Sequence, residues 1–192
     1  MFMRSGLAAA IVLATFSIGH AQDVFTGTVT KENFDPDGLT NPDSSLVQEW
    51  VVVNDPELPV RIDASKFFGI TLHRTQDRGL AADVVIPLES SRSITAISVH
   101  LVFLDLWNEV GRTFDLTEAF DVAPGAEMLT GRWNINSQAD AEAMRQLVVY
   151  VKQVRTEDGT IMSADMAPVL REIRKIAPNA VEADIRPIQK DQ

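Results

Sequence analysis

The stretch over residues 94–107 constrains the fold more than any other part of the sequence, because it is apolar on both of its faces. Successive side chains of an extended strand point to opposite faces of a sheet. One face of this stretch carries Ile97, Val99, Leu101 and Phe103, and the other carries Val102, Leu104 and Leu106. This pattern predicts a central strand that is covered on both sides near its C-terminal half.

Other segments with β-branched or alternating patterns precede and follow this strand, with turn signals between them. They span residues 25–30, 48–55, 68–74, 80–88, 112–120, 128–135 and 147–157, and a return strand follows the Asp158-Gly159 turn. Pro87 lacks the N–H that a ladder needs, so we expect the strand at 80–88 to lie at a sheet edge or to end there. Strands and helices do not alternate, which argues against Rossmann and barrel enzymes. The predicted fold is mainly β, an antiparallel immunoglobulin-like sandwich with a C-terminal amphipathic helix.

The C-terminal helix is the clearest helical pattern in the chain. Its apolar residues recur at the spacing of one helical face: Met166, Val169, Leu170, Ile173 and Ile176. Asp165 is the predicted N-cap, which makes Pro168 the third helical residue, where no intrahelical bond is lost. Residues 137–146 predict a short helix or an exposed loop.

The N-terminus has the three parts of a secretory signal peptide. Arg4 gives a positive start, an apolar run follows at 7–18, and Gly19-His20-Ala21 offers a cleavage site before Gln22. A membrane anchor is the alternative, but the run is shorter than the roughly 20 apolar residues that a span takes. We therefore expect a signal peptide at 1–21, an arm or loop at 22–46, the sandwich and helix at 47–178, and a loosely packed polar tail at 179–192. The mature protein would be periplasmic or secreted, with no membrane span.

Charge and cysteine content exclude several classes of function. The chain holds 17 basic and 27 acidic residues for a net charge of −10, and removal of Arg4 with the signal makes it −11. Nucleic acids and anionic membrane surfaces are therefore poor partners. The chain has no cysteine, which excludes disulfides, thiolate chemistry and lipid attachment at a cleavage-site cysteine.

The candidate metal ligands are weak. Asp35, Asp37 and Asp43 lie near Gly38 in a segment rich in Asp, Pro and Asn, which is the oxygen-ligand chemistry of calcium but also that of an ordinary surface loop. The segment lacks the bidentate glutamate of an EF-hand. The mature histidines, His73 and His100, lack zinc-ligand spacing, so we expect no metal and no cofactor.

Two further sets of residues are candidates for chemistry or contact. Asp115 with Glu118 is the candidate carboxylate pair for a hydrolase, with a solvated turn as the alternative. Trp50, Trp107 and Trp133 could offer a stacking platform, although core packing is the more common role of tryptophan in apolar strands. We expect the partner-binding region at the loop end with Trp107, Asn108 and Arg112, since aromatic and arginine side chains make good anchors.

The stretch over residues 94–128 resembles the FxLYD-type, immunoglobulin-like domains of secreted bacterial proteins. The resemblance rests on the alternation of Ile97, Val99 and Leu101, on Phe103-Leu104-Asp105, on the turn at 108–111 and on Pro124-Gly125 before the next strand. The block over residues 154–176 is also similar to the end of a family of uncharacterised exported proteins. Neither resemblance brings catalytic residues, and both imply a binding or accessory module.

The function expected from the sequence is therefore a non-catalytic exported module that binds a protein or another component of the cell envelope. A carboxylate-dependent hydrolase and a purely structural envelope protein are the alternatives. An enzyme would need a pocket with convergent titratable groups.

Overall fold

A computed structural model describes residues 23–29, 48–67, 69–74, 80–105, 107–122, 124–135 and 144–185. The predicted signal peptide and the calcium candidates Asp35, Asp37 and Asp43 lie outside these residues, as does most of the helix or loop predicted at 137–146. Within the described ranges, no helix is long and apolar enough to cross a membrane.

The described chain is mainly β. Its strands are β1 (Asp23–Val29), β2 (Gln48–Asn54), β3 (Val60–Ile62), β4 (Ile70–Arg74), β5 (Leu80–Ser90), β6 (Ile94–Leu104), β7 (Val110–Val122), β8 (Gly125–Ile135), β9 (Gln146–Thr156) and β10 (Ile161–Ser163). One α-helix, α1 (Met166–Ile176), and a 3-10 helix (Glu182–Ile185) follow them.

The larger sheet, sheet A, has the strand order β1-β2-β9-β6-β7, and β10 pairs with β9 beyond the end of β2. Most of its pairs are antiparallel, but β2 and β9 run parallel from Glu49↔Gln146 to Val53↔Tyr150. The prediction of an entirely antiparallel architecture is therefore wrong at this pair. Parallel neighbours need a long crossover, and the connection from β2 to β9 contains the whole second sheet.

The second sheet, sheet B, is built around β5. Strand β8 pairs along the full length of β5, while β3 and β4 share the other edge of β5. The prediction that Pro87 confines its strand to an edge is wrong, because β5 is central. Its partners on the shared edge stop at Val84 and resume at Leu88, so Pro87 falls in the gap. The Pro87 carbonyl points to that gap and accepts from Asp63 N at 2.9 Å. The backbone N–H and C=O of a strand residue point to the same edge of the strand. The N–H that Pro87 lacks would therefore also point to the gap, and no hydrogen bond between strands is lost.

The two sheets pack face to face around an apolar core. Sheet A contributes Trp50, Val52, Ile97, Val99, Leu101, Phe103, Leu147 and Val149, and sheet B contributes Val60, Ile62, Ile70, Val84, Ile86, Leu88 and Leu129. At one side of this core β7 meets β8, where a Cβ on Gly131 would lie 2.6 Å from Leu116 Cδ2. Glycine at that position lets the two strands approach.

The opposite face of sheet A is covered by α1 and the 3-10 helix. Val53, Val102, Leu104, Val148 and Tyr150 pack there against Val169, Ile173, Ala177, Ala180 and Ile185. Strand β6 is therefore covered on both sides, as its sequence predicts. Ile173 is fully buried and Leu170 is half-buried, so both contact the sheet as expected. Residues 180 and 185 are buried in this layer, where the sequence predicted a loosely packed tail.

Helix α1 begins as its sequence predicts. Asp165 is the N-cap, and its carboxylate accepts from Ala167 N at 3.0 Å. The Asp165 N–H donates to Asp55 Oδ2 at 2.9 Å, which ties the start of the helix to the end of β2.

Candidate functional site

The turn between β6 and β7 presents Trp107 to solvent. Its side chain is 81% exposed, and the turn beneath it is closed by Asp105. One carboxylate oxygen, Asp105 Oδ1, accepts from Trp107 N at 2.8 Å and from Glu109 N at 3.0 Å. The Asp105 backbone donates to Glu109 O at 3.0 Å and accepts from Asn108 N at 3.1 Å. Four hydrogen bonds thus fix the backbone that carries an exposed indole.

The other two partner-binding candidates differ in placement. Asn108 is exposed in the same turn and has a φ of 60°, a left-handed conformation that asparagine adopts more readily than most residues. Arg112 lies within β7, opposite Phe103, and is half-buried. The turn itself is therefore formed around Trp107 and Asn108, with Arg112 on the adjoining strand.

The three tryptophans do not form one platform. Trp50 is 8% exposed and lies edge-on to Phe67, with ring centroids 5.1 Å apart. Trp133 is half-buried and stacks on Phe114 at 4.9 Å, and its Nε1 has no hydrogen-bond partner within the described chain. Trp107 alone of the three is exposed.

The carboxylate pair Asp115 and Glu118 is not formed. Asp115 lies opposite His100 and Glu118 lies opposite Ile97, and side chains three apart in a strand point to opposite faces. Asp115 contributes instead to a cluster on the helix-covered face of sheet A, which we call the histidine cluster: His100, Asp115, Tyr150 and Lys152.

His100 is the centre of the histidine cluster and is 0% exposed. Its Nδ1 lies 2.5 Å from Asp115 Oδ1, and its Nε2 lies 2.6 Å from the carbonyl oxygen of Ile185 in the 3-10 helix. The Tyr150 ring lies edge-on to the imidazole, with centroids 5.4 Å apart. The cluster therefore joins β6, β7, β9 and the 3-10 helix.

Lys152 reaches Asp115 because β9 is irregular at that point. Ser98 pairs with Gln153 and Val99 pairs with Val151, which leaves Lys152 as the extra residue of a bulge. Bulges turn a side chain away from its regular direction, and here Lys152 Nζ donates to Asp115 Oδ2 at 2.8 Å. Both carboxylate oxygens of Asp115 are thereby occupied.

Burial and charge act in opposite directions within the histidine cluster. Burial disfavours the ionised form of Asp115, but the hydrogen bonds from His100 and Lys152 outweigh it and lower the pKa of this carboxyl. Burial raises the pKa of the Tyr150 hydroxyl, and the negative charges of Asp115 and Glu182 add to that effect. Asp115 is therefore an acceptor and a poor general acid, while Tyr150 remains neutral.

A cleft of about 410 Å³ lies at a different place, between the β2–β3 turn and the end of β5. The polar side chains that line the cleft are hydrogen-bonded to neighbouring side chains or to the backbone. The Asn54 amide bonds to both backbone groups of Ile62, Arg61 pairs with Glu89, and Ser91 Oγ donates to Pro59 O at 3.1 Å. These contacts hold the loops together and do not converge on a common centre. Across the described ranges, no group of three or more His, Asp or Glu side chains is placed to hold a metal ion.

Sequence reasoning placed Trp107 and Asp115 among the candidates but missed the histidine cluster. The available signal was a single histidine between Val99 and Leu101 in the most apolar strand of the chain. A polar residue there needs a buried partner, but Asp115 and Lys152 are brought to it only by strand pairing and a bulge.

No protein-family model and no curated protein matches the chain. Among solved structures, the chain is similar to a hypothetical protein from Peptoclostridium difficile 630, with a TM-score of 0.43 and 11% identity. The alignment covers 68% of this chain and 98% of that chain. A likeness at this level carries no argument about function.

Proposed function

We propose that the protein is a non-catalytic, exported binding or accessory module of the bacterial cell envelope, and that it contacts its partner through the turn at 105–109. The observation that carries this proposal is the 81% exposure of Trp107 on a turn fixed by Asp105. A rigid backbone lowers the ordering cost of binding, and tryptophan is among the side chains that contribute most at protein interfaces.

The surrounding charges favour a protein partner. Glu109 and Asn108 flank the indole, and Arg112 lies on the adjoining strand, so the turn combines one apolar side chain with hydrogen-bonding groups. Protein interfaces have this composition, with an aromatic centre and a polar rim. The acidic chain as a whole argues against nucleic acid and anionic lipid as partners.

The histidine cluster offers the nearest arrangement to a hydrolase, a histidine that contacts a carboxylate. A general base needs one free ring nitrogen within reach of its substrate. Nε2 of His100 instead faces the Ile185 carbonyl, and the ring is 0% exposed. These contacts favour a structural role for the cluster over the hydrolase alternative.

The finer assignment of the fold is part of the same proposal. Two packed sheets and the Phe103-Leu104-Asp105 turn are compatible with an immunoglobulin-like domain of the FxLYD type, to which we assign the segment over residues 94–128. The parallel pair of β2 and β9 departs from a purely antiparallel sandwich.

The position of β1 is compatible with export. This strand begins at Asp23 and pairs with β2 over its whole length, so cleavage before Gln22 would leave it intact. The secreted protein should have the mass of residues 22–192. Recovery of the full-length chain from the envelope would contradict this expectation.

The test of binding uses three forms of the purified protein as bait on an envelope extract of the source organism: wild type, Trp107→Ala and Ile161→Ala. Ile161 is the matched control, because it is 60% exposed on β10 and lies outside the turn. Truncation of a central anchor costs about 2 kcal/mol or more of binding. We expect one partner to be retained by wild type and Ile161→Ala and to be reduced about 30-fold with Trp107→Ala.

Two results would contradict the proposal. One is a partner that Trp107→Ala retains in full, and the other is the absence of any partner specific to the wild type. Turnover of ester, glycoside, peptide or phosphate substrates that is abolished by Asp115→Asn would favour the hydrolase. Thermal melts of the three forms should agree, because all the changes are on the surface.

A further inference from the structure

We infer that His100 is a buried imidazolium that latches the segment over residues 180–185 onto sheet A, and that the latch opens when the ring loses a proton. Each ring nitrogen of His100 faces an oxygen atom of another element, and neither contact involves the turn that carries Trp107.

Both ring nitrogens of His100 face oxygen atoms that accept. The Ile185 carbonyl has no proton to give, so Nε2 must donate across the 2.6 Å contact. The Asp115 carboxylate accepts from Lys152 on Oδ2 and lies 2.5 Å from Nδ1 on Oδ1. A neutral imidazole has only one N–H, so it would leave a lone pair facing one of these two oxygens. The doubly protonated ring satisfies both.

The charged groups around the ring are compatible with a cation at its centre. Asp115 on β7 contacts it directly, and Lys152 on β9 balances the second oxygen of that carboxylate. Tyr150 on β9 is neutral, and Glu182 on the 3-10 helix adds negative charge on the side of the segment. On α1, Glu172 pairs with Lys175 and Arg171 of the same helix. The charged group that contacts the imidazole is thus the Asp115 carboxylate.

The bond to Ile185 holds the far end of the segment. Its near end is held by the end of α1, because Arg174 Nε donates to Ala180 O at 2.9 Å and Ala180 N donates to Ala177 O at 3.0 Å. The Ile185 side chain is buried in the same layer. The hydrogen bond from Nε2 is therefore a polar contact that joins the 3-10 helix to the centre of sheet A.

The contacts of the two ring nitrogens also indicate which of them loses its proton first. The Asp115 charge attracts the proton on Nδ1, whereas Nε2 faces only an uncharged carbonyl. Loss of the Nε2 proton turns a donor into a lone pair that faces the Ile185 oxygen, which replaces attraction by repulsion. The latch is therefore closed while both ring nitrogens carry a proton, and it opens when the Nε2 proton is lost.

The first measurement is the protonation state of the ring. Nitrogen-15 NMR of the His100 side chain in the whole protein should show a proton on each ring nitrogen at the acidic end of a pH series over which the protein stays folded, and raising the pH should remove the one on Nε2 first. A ring that is neutral throughout the series, or that loses the Nδ1 proton first, would overturn the inference. This measurement uses the wild-type chain and needs no variant.

The second measurement is amide hydrogen exchange of residues 180–185, corrected for the intrinsic effect of pH. Protection of this segment in the wild type should fall about 10- to 100-fold as the latch opens, the range expected for one hydrogen bond to a charged group. His100→Phe keeps a ring beside Tyr150 but donates no hydrogen bond, so its segment should exchange fast at every pH. His73→Phe, in β4 of sheet B, is the control and should behave as the wild type does.

Protection of residues 180–185 that is equal in wild type and His100→Phe, or that does not change with the protonation state of the ring, would contradict the latch. If His100→Phe does not fold, the pH dependence of exchange in His73→Phe and in the wild type decides the question. Binding through Trp107 has no part in either readout, so the two proposals fail separately.

Discussion

The two faces of sheet A are covered in different ways. The face toward sheet B is apolar and aromatic, with Phe103, Phe114 and Trp133 in contact at its β7 edge. The face toward α1 has a comparable apolar set, but it also carries the histidine cluster at its centre. One strand, β6, supplies both faces and places Phe103 on the first and His100 on the second.

The difference shows how two layers that cover the same sheet can respond differently to pH. Apolar burial is insensitive to pH and depends on the quality of packing. A buried ionisable group ties the layer that covers it to its own protonation state. Sheet B should therefore stay docked under conditions in which the segment at 180–185 comes free, and the variants below test this contrast.

The largest effect is expected from Phe103→Ala, in the core between the two sheets. Phe103 is fully buried and meets both Phe114 and Trp133. Its truncation removes these contacts and leaves a cavity, which should lower the free energy of unfolding by about 3–5 kcal/mol. Urea denaturation measures this loss. Val85→Ala on the exposed face of sheet B is the control and should stay within about 0.5 kcal/mol of wild type.

Ile173→Ala tests the helix-covered face in the same way. Ile173 is fully buried in the layer between α1 and sheet A, and its truncation should cost about 2–5 kcal/mol. Val181→Ala is the control, because Val181 is exposed in the segment that follows α1. Hydrogen exchange should show amides of α1 exchanging faster while those of β5 and β8 keep their relative protection. Equal loosening of both sheets would mean that the two layers unfold as one.

Asp115→Ala should have the next largest effect, and this effect should depend on pH. The change leaves the buried Nδ1–H of His100 without its acceptor, which costs about 1–3 kcal/mol near neutral pH. Because the pKa of Asp115 is lowered in the folded protein, its carboxylate stabilises the fold above the ordinary value of 3.8. That contribution disappears as the pH falls through the lowered pKa, so wild type and variant should converge in strong acid.

Asp63 is the control carboxylate for this experiment. Hydrogen bonds from Lys66 and Ser65 lower its pKa to about 2, and it lies in the loop after β3. Its partner Lys66 is 56% exposed, whereas His100, the partner of Asp115, is 0% exposed. Salt screens exposed charges more than buried ones. Added salt should therefore weaken the effect of Asp63→Asn and leave that of Asp115→Ala in place, and denaturant melts at low and high ionic strength would measure both. Equal salt sensitivity would place Asp115 among the surface ion pairs.

Asp165→Ala should produce the smallest of these effects. The variant loses the bond from Ala167 N to the cap carboxylate, which should cost about 1 kcal/mol. Ser163→Ala, two residues earlier, removes an exposed hydroxyl outside the cap and should be neutral in a thermal melt. A loss from Ser163→Ala as large as that from Asp165→Ala would mean that the helix is not capped as described.

Local patterns were the most reliable guide to this fold. The alternation at 94–107 predicted a strand covered on both faces, and the apolar spacing from Met166 to Ile176 predicted α1 with its Asp165 cap. Both patterns depend on neighbours within a few residues. The edge position predicted from Pro87 was wrong for the opposite reason. Whether a proline removes a hydrogen bond between strands depends on which distant strands lie beside it.

The turn at Trp107 was found from the sequence because an aromatic residue beside Asn108 and Gly111 is a local signal. The histidine cluster was not found, since His100 lies 15 residues from Asp115 and 85 residues from the Ile185 carbonyl along the chain. No single spacing in the sequence marks such a group.

By itself the sequence determined the strand-rich class, the amphipathic helix and the absence of cysteine chemistry, because backbone periodicity and composition are properties of the local chain. The tertiary structure decided the parallel pair of β2 and β9, the division into two sheets and the partners of His100. These features depend on which distant strands become neighbours, and that choice is made by the burial of the whole apolar surface rather than by any one segment.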